Sequence, residues 1–190
     1  VNRAVFLDRD GTLMEDVDYL SAIDQVALFP WTVDALRLLT RAGFLTVVVT
    51  NQSGIARGLL TEDFVRDTHE ELSRRLARGG ARIDAFYFCP HHPEAAIERY
   101  RRRCRCRKPE PGMLEDAARD LSIDVSRSWM VGDRWIDVAA GNAGGAGAVL
   151  VTSGYAGRVS EQPPPGVRAD AILNNLMEAV AWILPRSTSR

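Results

Sequence analysis

The chain has 190 residues, 46% of them hydrophobic and 26% charged, with a formal net charge of −1. That length allows one compact domain with a substantial core and excludes a large second one. The charge balance gives no electrostatic argument for nucleic acid or a membrane surface, no apolar run approaches the ~18 residues of a membrane span, and the N-terminus lacks a secretory pattern. The expectation is a cytoplasmic monomer that engages neither nucleic acid nor membrane.

In chain order, the apolar run Ala4 to Leu7 reads as a buried strand delivering Asp8-Arg9-Asp10-Gly11-Thr12. Two acids at i and i+2 beyond a strand can gather a hard cation, leave one oxygen as nucleophile and keep the second acid free to move a proton. A calcium loop counted from Asp8 would need Gly at position 13 and Glu at position 19, where the chain has Leu13 and Tyr19. Residues 13–29, with Asp16, Asp18 and Tyr19, are too irregular for a long helix and read as a flap beside the site. Trp31 to Ala42 has near-helical apolar spacing and stops at Gly43, and Phe44 to Val49 is a continuous β-branched run suited to a strand buried on both faces. That run enters the polar turn Thr50-Asn51-Gln52-Ser53-Gly54.

Thr61 is placed to cap a helix running to about Arg78, where Gly79 and Gly80 end it. Ile83 to Phe88 is a third strand, followed by a loop over 89–107. Pro109 to Leu121 reads as helix, Trp129 to Val131 as strand, Ile136 to Asn142 as helix, Ala148 to Val151 as strand and Ala169 to Leu173 as a last strand. Gln162 to Gly166 is a surface loop and Leu176 to Leu184 a closing helix, giving a single domain over 1–185 and a flexible tail over 186–190.

Alternating strands and helices imply a parallel α/β sheet with helices on both faces, whose ligands sit at the carboxyl ends of the strands. The clusters Asp8 to Thr12, Thr50 to Ser53 and Gly132 to Asp137 each follow an apolar run, so all three should meet on one edge. Thr50 and Asn51 offer donors for phosphate oxygens, and Asp133 can join Asp8 on one cation.

Two further features stand out. Cys89-x-His91 and Cys104-x-Cys106 supply three thiolates and an imidazole, a closed tetrahedral set for structural Zn²⁺, with His91 favoured over the adjacent His92 by its spacing. The cations comprise 23 arginines and a single lysine, Lys108, directly after the cysteines. A site that keeps lysine in so arginine-biased a chain needs a compact ammonium. Its neighbour Arg107 is expected to grip a second anionic group with its guanidinium fork.

Together and in this order, these elements resemble the haloacid dehalogenase superfamily of phosphohydrolases. The resemblance implies a Rossmann-like fold with Asp8 as nucleophile, Asp10 as general acid and base, Thr50 as phosphate-binding hydroxyl and Lys108 as the site's cation. It also implies Mg²⁺ at Asp8, Asp10 (through its carbonyl) and Asp133. Only about forty residues separate Asp10 from Thr50, which points to the capless type. Capless members with such a zinc loop resemble two groups, the heptose 1,7-bisphosphate 7-phosphatases and the histidinol-phosphate phosphatases. Cys89-Pro-His-His-Pro93, Cys104-Arg-Cys-Arg-Lys-Pro109 and the twelve residues between His91 and Cys104 look like the first. That resemblance implies a small sugar bisphosphate as partner, bound by Asp16, Tyr19, Asn51, Ser53, Arg107 and Arg134, the last standing where the family often has lysine. A zinc-stabilised interaction module without catalysis is the alternative of another class.

Overall fold

The computed structural model describes residues 1–187. Six parallel strands, β1 (Arg3–Leu7), β2 (Phe44–Asn51), β3 (Ala85–Cys89), β4 (Trp129–Gly132), β5 (Gly147–Val151) and β6 (Ala171–Leu173), lie in the order β3-β2-β1-β4-β5-β6. The helices are α1 (Thr32–Arg41), α2 (Ser53–Ala56), α3 (Glu62–Arg78), α4 (Gly112–Leu121), α5 (Trp135–Gly144), α6 (Tyr155–Arg158) and α7 (Leu176–Arg186).

Alternation along β1 explains the layering. Val5 and Leu7 pack with Leu36 and Leu39 of α1, Leu72 and Leu76 of α3, and Val180 and Ile183 of α7. Ala4 and Phe6 face the opposite layer, where Met113, Leu114 and Ala117 of α4 meet Ala140 of α5. Both faces of the central strands are therefore dry, as their unbroken apolar runs require. The strand order reverses between β1 and β4, so a crevice opens at their carboxyl ends. Asp8 and Asp133 are the residues that follow those two strands.

The expected elements form with shifted ends. β2 extends through Thr50 and Asn51, placing both on the strand itself. β3 starts at Ala85 rather than Ile83 because the Asp84 carboxylate takes the Thr46 N–H at 2.8 Å in place of a ladder partner. α4 starts at Gly112, after a turn in which the Gly112 N–H donates to the Arg105 carbonyl at 2.8 Å. Thr61 caps α3, its hydroxyl accepting the Phe64 N–H at 3.0 Å. The single turn α6 was not among the expected elements. α7 continues through Pro185 to Arg186, two residues beyond its expected end, so the proposed tail begins inside a helix and its residues 188–190 lie outside the described part. Among the described residues, no helix is long and apolar enough to cross a membrane.

The flap over 13–29 is irregular but anchored. Leu13, Met14, Leu20 and Val26 are buried in the main core, and Met14 bridges to both Asp10 and Leu28. Its polar residues Asp16, Asp18 and Tyr19 are left facing the crevice.

Candidate active site

The crevice is a cleft of about 260 Å³ lined by Asp8, Asp10, Thr50, Lys108, Asp133 and Arg134 among others. Lys108 is its organising charge. Lys108 is 3% exposed, and its ammonium lies 2.7 Å from Asp8 Oδ1, 2.6 Å from Asp137 Oδ1 and 2.7 Å from the Val49 carbonyl. Burial alone would lower its pKa, but the charges of Asp137 and Asp8 outweigh burial and hold it above the ordinary lysine value.

The acids respond in the opposite sense. Burial pushes Asp8 up to about 7, with Lys108 opposing the rise and Asp137 and Asp10 adding to it. Burial, then the charges of Asp8 and Asp137, push Asp133 up to about 8. Asp133 Oδ2 accepts the Tyr155 N–H at 2.5 Å, while Oδ1 is buried with no hydrogen-bond partner. Gly11 and Gly154 cradle this carboxylate so closely that a Cβ on either would collide with Oδ2, and Gly11 also takes a left-handed φ of 80°. Asp8, Asp133 and Asp137 present carboxylate oxygens within 4.8 Å of one another. One ammonium against three carboxylates leaves two negative charges uncompensated, the charge of one divalent cation. With hard oxygen donors and an orphaned Asp133 Oδ1, the group fits Mg²⁺.

The remaining expected residues fall into three groups. Thr50, Asp16, Tyr19, Ser53 and Arg134 all line the cleft. Thr50 is 1% exposed, its hydroxyl accepting from Gln52 Nε2 at 2.9 Å. Asp16 pairs with Arg158 at 2.6 Å, and the Arg134 guanidinium stacks 4.1 Å above the Tyr155 ring. Asn51 also lines the cleft, but both polar ends of its side chain are engaged elsewhere. Its Nδ2 donates to the Lys108 carbonyl and its Oδ1 accepts the Lys108 N–H, each at 3.0 Å. Asn51 therefore holds the lysine backbone, using one of its two Nδ2 hydrogens to do so.

Arg107 is where the geometry departs from expectation. Arg107 is absent from the cleft lining. Its Nη1 donates to the His91 carbonyl at 3.1 Å, and it lines an adjoining groove with Arg103 and Arg105. Asp10 lines the cleft with its carboxylate outside the acid cluster, as a role through its carbonyl allows, and the third acid of the cluster is Asp137, which was not expected there. Asp137 closes the first turn of α5 by accepting the Arg134 N–H at 2.9 Å, which aims its other oxygen at Lys108. Gln52 is a further contributor whose role was not foreseen: its Nε2 also reaches Asp10 Oδ2 at 3.1 Å.

The cysteine cluster assembles beside this site. Cys89, His91 Nδ1, Cys104 and Cys106 approach one another at 3.2–3.7 Å. A tetrahedron with metal–sulfur bonds of 2.3 Å has edges of about 3.8 Å, so the donor set fits zinc with no position left open. Contacts from the Cys89 and Cys104 thiols and from His91 draw Cys106 down to about 5 against its burial, while Cys89, through its contact with Cys106 and its burial, and Cys104, through burial, are pushed up. His92 points away, its Nδ1 accepting the Glu94 N–H at 3.1 Å.

Comparison with known proteins agrees with this geometry. The HAD-hydrolase-like family model matches residues 105–179. The D-glycero-beta-D-manno-heptose-1,7-bisphosphate 7-phosphatase of Escherichia coli strain K12 is 43% identical over 176 residues, covering 92% of this chain and 90% of that protein. The enzyme of the same name from Photorhabdus laumondii is 45% identical over 152 residues, covering 80% and 81%. The chain belongs to this haloacid dehalogenase-like phosphatase family. Among solved structures, the D,D-heptose 1,7-bisphosphate phosphatase of B. bronchiseptica, complexed with magnesium and phosphate, superposes with a TM-score of 0.82 at 32% identity, covering 97% of this chain and 99% of that one. The protein is a phosphoric monoester hydrolase of this family, and the interaction-module alternative falls away.

Proposed function

We propose that this phosphatase removes the C7 phosphate of D-glycero-β-D-manno-heptose 1,7-bisphosphate through an aspartyl-phosphate on Asp8. The observation that carries the reading is the buried Lys108 ammonium 2.7 Å from Asp8, in a cleft that also holds Thr50 and the exposed Arg134. Relatives named for the β anomer support that choice of substrate.

An Asp8 oxygen attacks phosphorus in line, the bond between phosphorus and the C7 oxygen breaks, and that oxygen takes the proton of the Asp10 carboxyl. Water then attacks phosphorus, passes its proton to the Asp10 carboxylate, and the bond to Asp8 breaks to release orthophosphate. Lys108 offsets the charge of Asp8 and of the phosphoryl oxygens, and Thr50 donates to one of them. Asp8, Asp133 and the Asp10 carbonyl would hold Mg²⁺, which when bound neutralises phosphoryl charge. Zn²⁺ would be held by Cys89, His91, Cys104 and Cys106 as a brace for the loop that delivers Lys108.

The second phosphate of the substrate is assigned to Arg134. Among the cations lining the cleft, Arg9 and Lys108 are buried and paired with acids, whereas Arg134 is exposed. A guanidinium there favours a bisphosphate and disfavours an amine such as histidinol phosphate. Asp16 and Tyr19 on the flap would meet sugar hydroxyls. The protein is read as a cytoplasmic monomer.

A phosphate-release panel tests the assignment. The β-anomer of heptose bisphosphate should give the highest kcat/KM, above the α-anomer, the heptose 7-monophosphate and histidinol phosphate. Equal or better turnover of histidinol phosphate would overturn it.

A further inference from the structure

Arg9 stands between the two acids of the first motif, yet its side chain is 3% exposed. Its Nε lies 3.1 Å from Asp10 Oδ1 and 3.2 Å from Oδ2, and its Nη2 lies 2.9 Å from Oδ2. On the far side, Nη1 is 3.5 Å from His69 Nε2, whose ring stacks on Phe86 at 4.5 Å. Gln52 Nε2 completes the arrangement, bridging Asp10 Oδ2 at 3.1 Å and the Thr50 hydroxyl at 2.9 Å.

A buried guanidinium is costly unless its donors are satisfied. Here the satisfaction comes from one carboxylate and one neutral imidazole. The donors are also unequally shared. Asp10 Oδ2 receives three contacts and Oδ1 one, which leaves Oδ1 as the less engaged oxygen of a residue that lines the cleft.

We propose that Arg9 is a positioning residue for the reaction, its fork backed by His69 and joined by Gln52 so that Asp10 presents Oδ1 to the leaving oxygen and then to water. The proposal rests on the reading of Asp10 as general acid and base. It adds the device that fixes which oxygen moves the proton, and the Gln52 amide ties the other oxygen, Oδ2, to the phosphate-binding Thr50.

Leaving-group dependence tests it, because a merely structural residue would affect all substrates alike. An alkyl phosphate such as the heptose bisphosphate needs a proton on its leaving oxygen, whereas p-nitrophenyl phosphate does not. In rapid-mixing experiments, Arg9→Met should slow the first turnover of the sugar phosphate by about 10²-fold with KM changed less than about threefold, the size of a lost proton-transfer contribution. The first p-nitrophenolate should appear within about threefold of the wild-type rate, followed by a slow steady state, because water attack still requires Asp10 as base. Arg9→Lys keeps the buried charge without the fork and should show the same pattern at smaller size.

Asp10→Asn is measured in parallel. If it gives the leaving-group pattern and folded Arg9→Lys and Arg9→Met lose both substrates equally or neither, the Arg9 proposal is overturned alone. If Asp10→Asn itself shows no leaving-group dependence, the acid–base reading falls and the proposal falls with it.

Discussion

Replacing Lys108 by Met removes the ammonium that lies 2.7 Å from Asp8 and 2.6 Å from Asp137 while keeping an apolar stem of similar length. Removing one partner of a buried ion pair costs about 3–5 kcal/mol, because the remaining charge is stranded. The structure adds a pH dependence. Asp8 already lies at about 7 with Lys108 opposing the rise, so loss of the lysine moves it higher still. A carboxyl whose folded pKa is raised holds a proton that the unfolded chain has released, so it loses stability as pH rises between its unfolded and folded values. Wild type and variant share that slope up to about 7 and diverge above it. The difference in unfolding free energy should therefore grow by about 1.4 kcal/mol per pH unit above neutrality, or about 2 kcal/mol between about pH 7 and about pH 8.5. Urea denaturation in Mg²⁺-free, Zn²⁺-replete buffer at these two pH values measures it. A destabilisation below about 1 kcal/mol, or one that does not change with pH, would refute the reasoning. Turnover should fall by about 10²- to 10³-fold or more.

Asn51→Ala removes two hydrogen bonds to the Lys108 backbone and should cost about 2 kcal/mol in stability, with kcat falling more than KM rises; an effect confined to KM would restore Asn51 as a ligand contact. Mg²⁺ affinity should weaken by at least about tenfold for each pH unit below about 7, because the cation must displace protons from Asp8 and Asp133, raised to about 7 and about 8. Isothermal titration in buffers of different ionisation enthalpy reads both the slope and the proton release, and a flat profile contradicts the shifts. Metal analysis should give one zinc per chain, and Cys106→Ser should lose it along with several kcal/mol of stability, given the roughly 10–16 kcal/mol of zinc binding in small finger peptides. Retention of full stability without zinc would remove the brace.

The residues proposed to carry the chemistry were legible because each follows or ends an apolar run. Asp8 and Asp133 lie past β1 and β4, and Thr50 sits at the end of β2, so a parallel sheet alone brings them together. Lys108 was legible through composition, as the single lysine among 23 arginines. The supporting contacts were not, because they join positions far apart in the chain: Asn51 clasps Lys108 across 57 residues, and Arg9 meets His69 across 60. Arg107 illustrates how sequence proximity misleads. Beside a lysine that enters the cleft, it turns instead to the His91 carbonyl, because neighbours on a turning chain do not share a direction. Asp137 was visible as a carboxylate one helical turn from Asp133, but its pairing with Lys108 follows from the first turn of α5, which only the fold fixes.

The central claim is that the phosphoryl group passes through Asp8. The direct measurement is acid quenching within the first turnover of heptose bisphosphate radiolabelled at its C7 phosphate, followed by peptide mapping. The account predicts a hydroxylamine-sensitive label on Asp8, absent from Asp8→Asn, which should also be inactive while folded. Label on another residue, or turnover by Asp8→Asn, would contradict it.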